Sequence, residues 1–183
     1  MTRKLTWGGV AAGIAILFSL AAYPYVRPGG GFAETAWPFP RDGWPAGRAF
    51  HCSAVSCGNE IDLYIRPKLG FCNCTTGVAD DDEVDRVADL DLISDRFVPL
   101  EPGRGAAVAG LAGRIRAYEL RMPDGSRRPA FGIAASRRCD LIVAVAVGKT
   151  MPGLPQAVLD FLASPRTVEW INAALTGRNG GPS

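Results

Sequence analysis

The sequence predicts an α+β fold: one N-terminal transmembrane helix, then a small, mostly antiparallel sheet with two C-terminal helices. Three observations predict it. Residues 7–26 carry no charge. Short runs further on alternate apolar and polar residues between turn-forming ones, as half-buried strands do. Helical spacing is clearest after residue 153, so strands precede most of the helix rather than alternating with it. At 183 residues and 48% apolar composition the chain can build one well-filled core. The apolar content excludes disorder, and the absence of a Gly-X-Y period excludes a collagen-like chain.

Residues 1–6, with Arg3 and Lys4, read as a cytoplasmic N-terminus. The 20 positions from Trp7 to Val26 would rise about 30 Å as a helix, the thickness of a bilayer's hydrocarbon core. Trp7 stands at one end and Tyr23 and Tyr25 at the other, where interfacial aromatics belong. Basic residues before the span favour export of the rest of the chain. The rival is a cleaved signal peptide ending in the small residues of Ser19-Leu20-Ala21. Arginine outnumbers lysine 17 to 3, which with the abundant Ala and Gly points to a GC-rich bacterial genome and hence a periplasmic domain.

Residues 27–47 are rich in Pro, Gly and aromatics, and read as a tether whose aromatics pack onto the domain at 48–178. Ile61, Leu63 and Ile65 alternate with polar residues in a strand expected to end at Pro67. Arg114 to Tyr118 alternates likewise, and Ala130 to Ala135 is a weaker candidate. Leu141 to Val147 is seven consecutive apolar residues, the pattern of a central strand covered on both faces. Pro155 suits the first turn of a helix, Ser164-Pro165 an N-cap and first position of a second, and Gly177 its end. Residues 179–183 read as a disordered tail.

Cys52, Cys57, Cys72, Cys74 and Cys139 suggest a disulfide framework in an exported domain, with an odd thiol left over. Cys72 and Cys74 are too close to bond each other easily. The alternative reading treats His51, Cys52, Cys57, Cys72 and Cys74 as a copper or zinc site, or as a redox dithiol. The spacing matches neither Cys-x2-Cys zinc pairs nor the thioredoxin motif.

Residues 80–101 hold nine acids against two arginines, a local net of −7. Asp80 with Glu83 three residues on reads as a capping box, with Val84, Val87 and Ala88 buried. Residues 104–138 hold eight arginines against two acids. Arg114, Arg116, Arg127 and Arg128, with Asp81, Asp82 and Asp85, are therefore candidates for docking a partner, or for pairing within the chain or with a twin subunit. An anionic polymer meeting the arginines is a third possibility. Beyond residue 27 the charge is −1, which argues against a nucleic-acid partner. Walker A, dinucleotide-binding and nucleophile-elbow motifs all fail, and His51 is the only histidine.

These readings converge on a non-enzymatic, disulfide-stabilised accessory or assembly subunit. It would cross a bacterial inner membrane once, with its main domain in the periplasm beside a membrane or envelope complex or a second copy of itself. No cofactor is expected. A periplasmic thiol–disulfide or Cu(I)-handling protein is the competing expectation.

Overall fold

Residues 31–70 and 74–177 are described by a computed structural model. The expected membrane span at 7–26, Cys72 and the tail lie outside them. Among the described residues no helix is long and apolar enough to cross a membrane.

Eight strands form one antiparallel sheet: β1 (Phe32–Thr35), β2 (Arg48–Cys52), β3 (Ile61–Lys68), β4 (Phe97–Pro99), β5 (Arg104–Val108), β6 (Leu111–Arg121), β7 (Arg127–Arg137) and β8 (Asp140–Gly148). Their order is β1-β2-β3-β8-β7-β6-β4, with β5 also pairing to β6. The last strand in the chain is thus the central one, as its unbroken apolar run predicts. Ile142, Ala144 and Ala146 bury one face against α3 (Leu154–Leu162) and α4 (Pro165–Leu175), where Val158, Leu162, Ile171 and Leu175 complete a core. Val143, Val145 and Val147 point the other way, into a second core. There α2 (Asp81–Val87) and a 3-10 turn (Leu90–Leu92) bring Val84, Val87, Ala88 and Leu90 onto Tyr118 and Leu120. Gly132 permits that approach, since a Cβ there would stand 2.9 Å from the Tyr118 ring and 3.0 Å from the Ala88 Cβ.

Local signals place the helix starts. Asp80 Oδ1 accepts from the Glu83 backbone N–H at 2.9 Å, as the capping pattern predicts. The reciprocal half of the box is absent, because the Glu83 carboxylate pairs with Arg86 instead. Pro155 and Pro165 lie in the first turns of α3 and α4.

Three expectations need correction. In residues 31–47, the described part of the expected tether, Phe32–Thr35 joins the sheet as an edge strand against β2. From there Trp37 and Phe39 pack edge-on against Tyr64, at centroid distances of 6.2 and 4.8 Å. Second, β3 runs through Pro67 to Lys68, opposite Ile142 and Leu141. Proline is tolerated because pairing on the β2 side has already stopped at Ile65. Third, β6 and β7 are 11 residues each, longer than the alternating segments at 114–118 and 130–135.

Candidate functional site

Four cysteines are bridged. Cys52, fully buried at the end of β2, bonds to Cys57 across the one-turn helix α1 (Ala54–Cys57). Cys74 bonds to Cys139 in the turn joining β7 to β8. The two bridges sit at opposite ends of the central strand, since Ile61 beside Cys52 pairs with Gly148 while Cys139 precedes Asp140. Nine extended residues separate these ends by about 30 Å. Cys52, Cys57 and Cys74 therefore do not gather around His51 into one site, and bridged sulfurs offer no thiolate to a metal. His51 shares β2 with Cys52 but faces the opposite side of the sheet, its Nδ1 3.0 Å from Asp62 and its Nε2 3.2 Å from Glu60. Among the described residues no three of His, Cys, Asp and Glu are placed to hold a metal ion.

The opposed charge blocks meet each other. Asp81 receives the Arg114 Nε at 2.5 Å and the Gly103 N–H at 2.9 Å. Arg116 donates to Asp85 at 2.7 Å, and the Tyr118 hydroxyl donates to the same carboxylate. Six of the seven docking candidates thus have partners nearby: these pairs fix α2 to β6, and Arg127 pairs with Glu119 at 3.1 Å. Arg128 reaches Asp62 at 3.5 Å, and Asp82 is exposed.

A second ionic group was not legible as such. Arg66 and Lys68, on the face of β3 opposite the α3–α4 core, are only 4% and 6% exposed. Arg66 donates to both Asp89 oxygens, at 2.5 and 2.8 Å, and to Asp42 at 2.8 Å. Lys68 Nζ lies 2.5 Å from Asp89, donates to the Val87 carbonyl at 2.9 Å and stands 5.9 Å from the Trp44 ring centroid. Asp89 takes a left-handed backbone (φ 61°) where α2 turns into the 3-10 turn. The cluster joins three distant segments, 42–44, 66–68 and 87–89, beneath one surface.

Three carboxyls with arginine partners, Asp81, Asp42 and Glu34, lie below their ordinary values. The Gly103 N–H and then Arg114 lower Asp81, a hydrogen bond from Arg66 lowers Asp42, and one from Arg48 lowers Glu34. A depressed folded-state value contributes stability that is complete above the unfolded-state value and is lost as pH falls through the folded one. Stability should therefore be flat on this account from neutrality down to about pH 5 and fall below about pH 4. Urea midpoints measured from neutral to strongly acidic pH check this, and Asp81→Asn should make the acid limb shallower.

A cleft lies between β1, β2 and the start of α4, lined by Phe32, Glu34, Arg48, Phe50, Phe161 and Arg166. Its volume is about 500 Å³. Phe32, Phe50 and Phe161 form an aromatic floor, with Phe161 centroids 4.6 and 4.7 Å from the other two. Along one rim Arg48 binds Glu34 through both ends of its guanidinium and lies 5.3 Å from the ring centroids of Phe50 and Trp170. Arg166 and the first turn of α4 form the other rim.

No family model and no curated protein matches the chain. Among solved structures it is similar in outline to cyanobacterial PsbP (CyanoP) from Synechocystis, at 13% identity and a TM-score of 0.44, over 73% of this chain and 79% of that one. A Pseudomonas aeruginosa protein of unknown function, described as a putative regulator, is similar at 14% identity and a TM-score of 0.38, over 84% and 99% of the two chains.

Proposed function

We propose that this protein is a non-enzymatic accessory or assembly subunit of a bacterial membrane or envelope complex. Its N-terminal segment holds it at the inner membrane and its α+β domain faces the periplasm. The observation that carries this reading is the pair of intrachain disulfides, which persist in an oxidising compartment and are rare in a reducing cytosol. One of them joins residues 65 apart and ties a surface loop to the central hairpin, the work of a structural staple. Buried and half-buried ionic pairs are used in the same way, holding α2, β3 and the 42–44 segment in place.

The intact mass of the chain purified from membranes, with and without alkylation under non-reducing conditions, tests the proposal. The expected result is a full-length, metal-free chain with two bridges and one alkylated thiol, that of Cys72. Three or more alkylated thiols, or a copper or zinc adduct, would overturn it in favour of a thiol-exchange or metal-handling protein.

A further inference from the structure

The sheet has two edges, and they differ. Outside β6 the edge is made by β4, three residues long and containing Pro99, a common device against strand pairing, and by the five-residue β5, which starts at exposed Arg104. The edge at β1, Phe32-Ala33-Glu34-Thr35, contains no proline and has no partner strand on its outer side among the described residues. It is also held in place. Phe32 pairs with Cys52, whose bridge to Cys57 closes the end of β2, and Glu34 is clamped by Arg48. An edge fixed before binding loses less conformational freedom when a strand is added.

The cleft runs directly beside that edge. Phe32 and Glu34 point into it, so a strand added to β1 would direct alternate side chains over the floor of Phe32, Phe50 and Phe161. The rim charge is asymmetric. Arg48 is balanced by Glu34, whereas exposed Arg166 has no acid within ion-pair distance among the described residues. The first turn of α4 holds no acid, and the Ser164 hydroxyl donates to Thr167 Oγ1 instead of accepting from the helix backbone. The positive end of an 11-residue helix therefore adds to the Arg166 charge.

We propose that β1 and this cleft bind an extended acidic–apolar peptide segment of a partner protein, which joins the sheet as a ninth strand. Backbone pairing to β1 gives affinity, an aromatic or aliphatic side chain in the cleft gives register, and an acidic residue meets Arg166. This rests on the accessory-subunit reading and names the surface through which the subunit meets its partner.

The test is calorimetric titration of the full chain in detergent with an acetyl-capped heptapeptide in which Phe and Leu alternate with Thr between terminal Glu residues. Three control peptides replace both Glu by Lys, or N-methylate every second amide along one edge or along the other. Saturable binding is expected, weakened about tenfold or more by the Lys peptide and by Arg166→Glu, as loss or reversal of an interfacial charge does. N-methylation along the pairing edge should abolish binding, whereas methylation along the opposite edge should not. Arg166 is exposed, so its variant should unfold at the wild-type urea midpoint. Equal binding of the Glu and Lys peptides, indifference to N-methylation on either edge, or no binding at all would overturn the proposal. So would a sedimenting dimer that the peptide does not dissociate, because the occupant of the edge would then be a second copy of this chain. None of these outcomes changes the thiol count or the attachment to membranes, so failure here is distinct from failure of the accessory reading.

Discussion

Asp89→Asn should cost about 3–5 kcal/mol, because it removes the carboxylate that buried Arg66 and Lys68 share. Asparagine keeps the shape of the side chain and is among the residues that accept a left-handed backbone, so the φ of 61° adds little to the effect. What is lost is the charge that faces Arg66 and Lys68 together. Asp42 also meets Arg66, but its side chain is 33% exposed, so Asp42→Asn should cost under about 1 kcal/mol. Urea unfolding followed by tryptophan fluorescence separates the two variants. The triple change Asp89→Asn, Arg66→Met, Lys68→Met should recover most of the loss, since replacing a whole buried ionic group by apolar side chains is often neutral. If Asp89→Asn unfolds with the wild-type midpoint, the cluster is not a source of stability.

The second large effect belongs to the bridges, and it is unequal. With a separation of 65 residues, the loop-entropy account gives about 4 kcal/mol for Cys74–Cys139, against about 2 kcal/mol for Cys52–Cys57 at a separation of 5. Cys139→Ser should therefore lower stability roughly twice as much as Cys57→Ser. Both are measured on oxidised protein with Cys72 also changed to Ser, to prevent thiol exchange. Full reduction should approach the sum of the two losses, because the bridges lie at opposite ends of β8 and share no partner.

How much of the fold could be read from the sequence depended on how local each signal is. The run Leu141–Val147, the cap at Asp80 and the Ser164-Pro165 start each depend on a few adjacent residues, and each appears where expected. Phe32–Thr35 was hidden because four residues between glycines and prolines show no period, and its strand geometry comes from pairing with β2. Arg66 and Lys68 continue the polar half of an alternation, which reads as a solvent face. Both are buried because segments 42–44 and 87–89 fold over them, and no rule of spacing joins positions so far apart in the chain. The cleft was invisible for the same reason, since its phenylalanines come from β1, β2 and α3. The opposed charge blocks were legible as blocks. That they would close on each other depends on α2 crossing β6, a matter of topology.

That topology sets an order of events. The central strand is the last to be made, and without it the sheet is two separate pieces, β1–β3 and β4–β7. The first piece has nothing to lie against until residues 140–148 arrive, because β3 pairs with β8 across the whole of residues 69–139. Contacts of such long sequence separation form slowly. A chain emerging N-terminus first therefore keeps these two pieces apart until residues 140–148 have emerged. The Cys52–Cys57 bridge spans a separation of only 5 and can close before then, whereas Cys74 cannot select Cys139 until the hairpin turn exists. Assembly of this domain is a single event, governed by the arrival of β8.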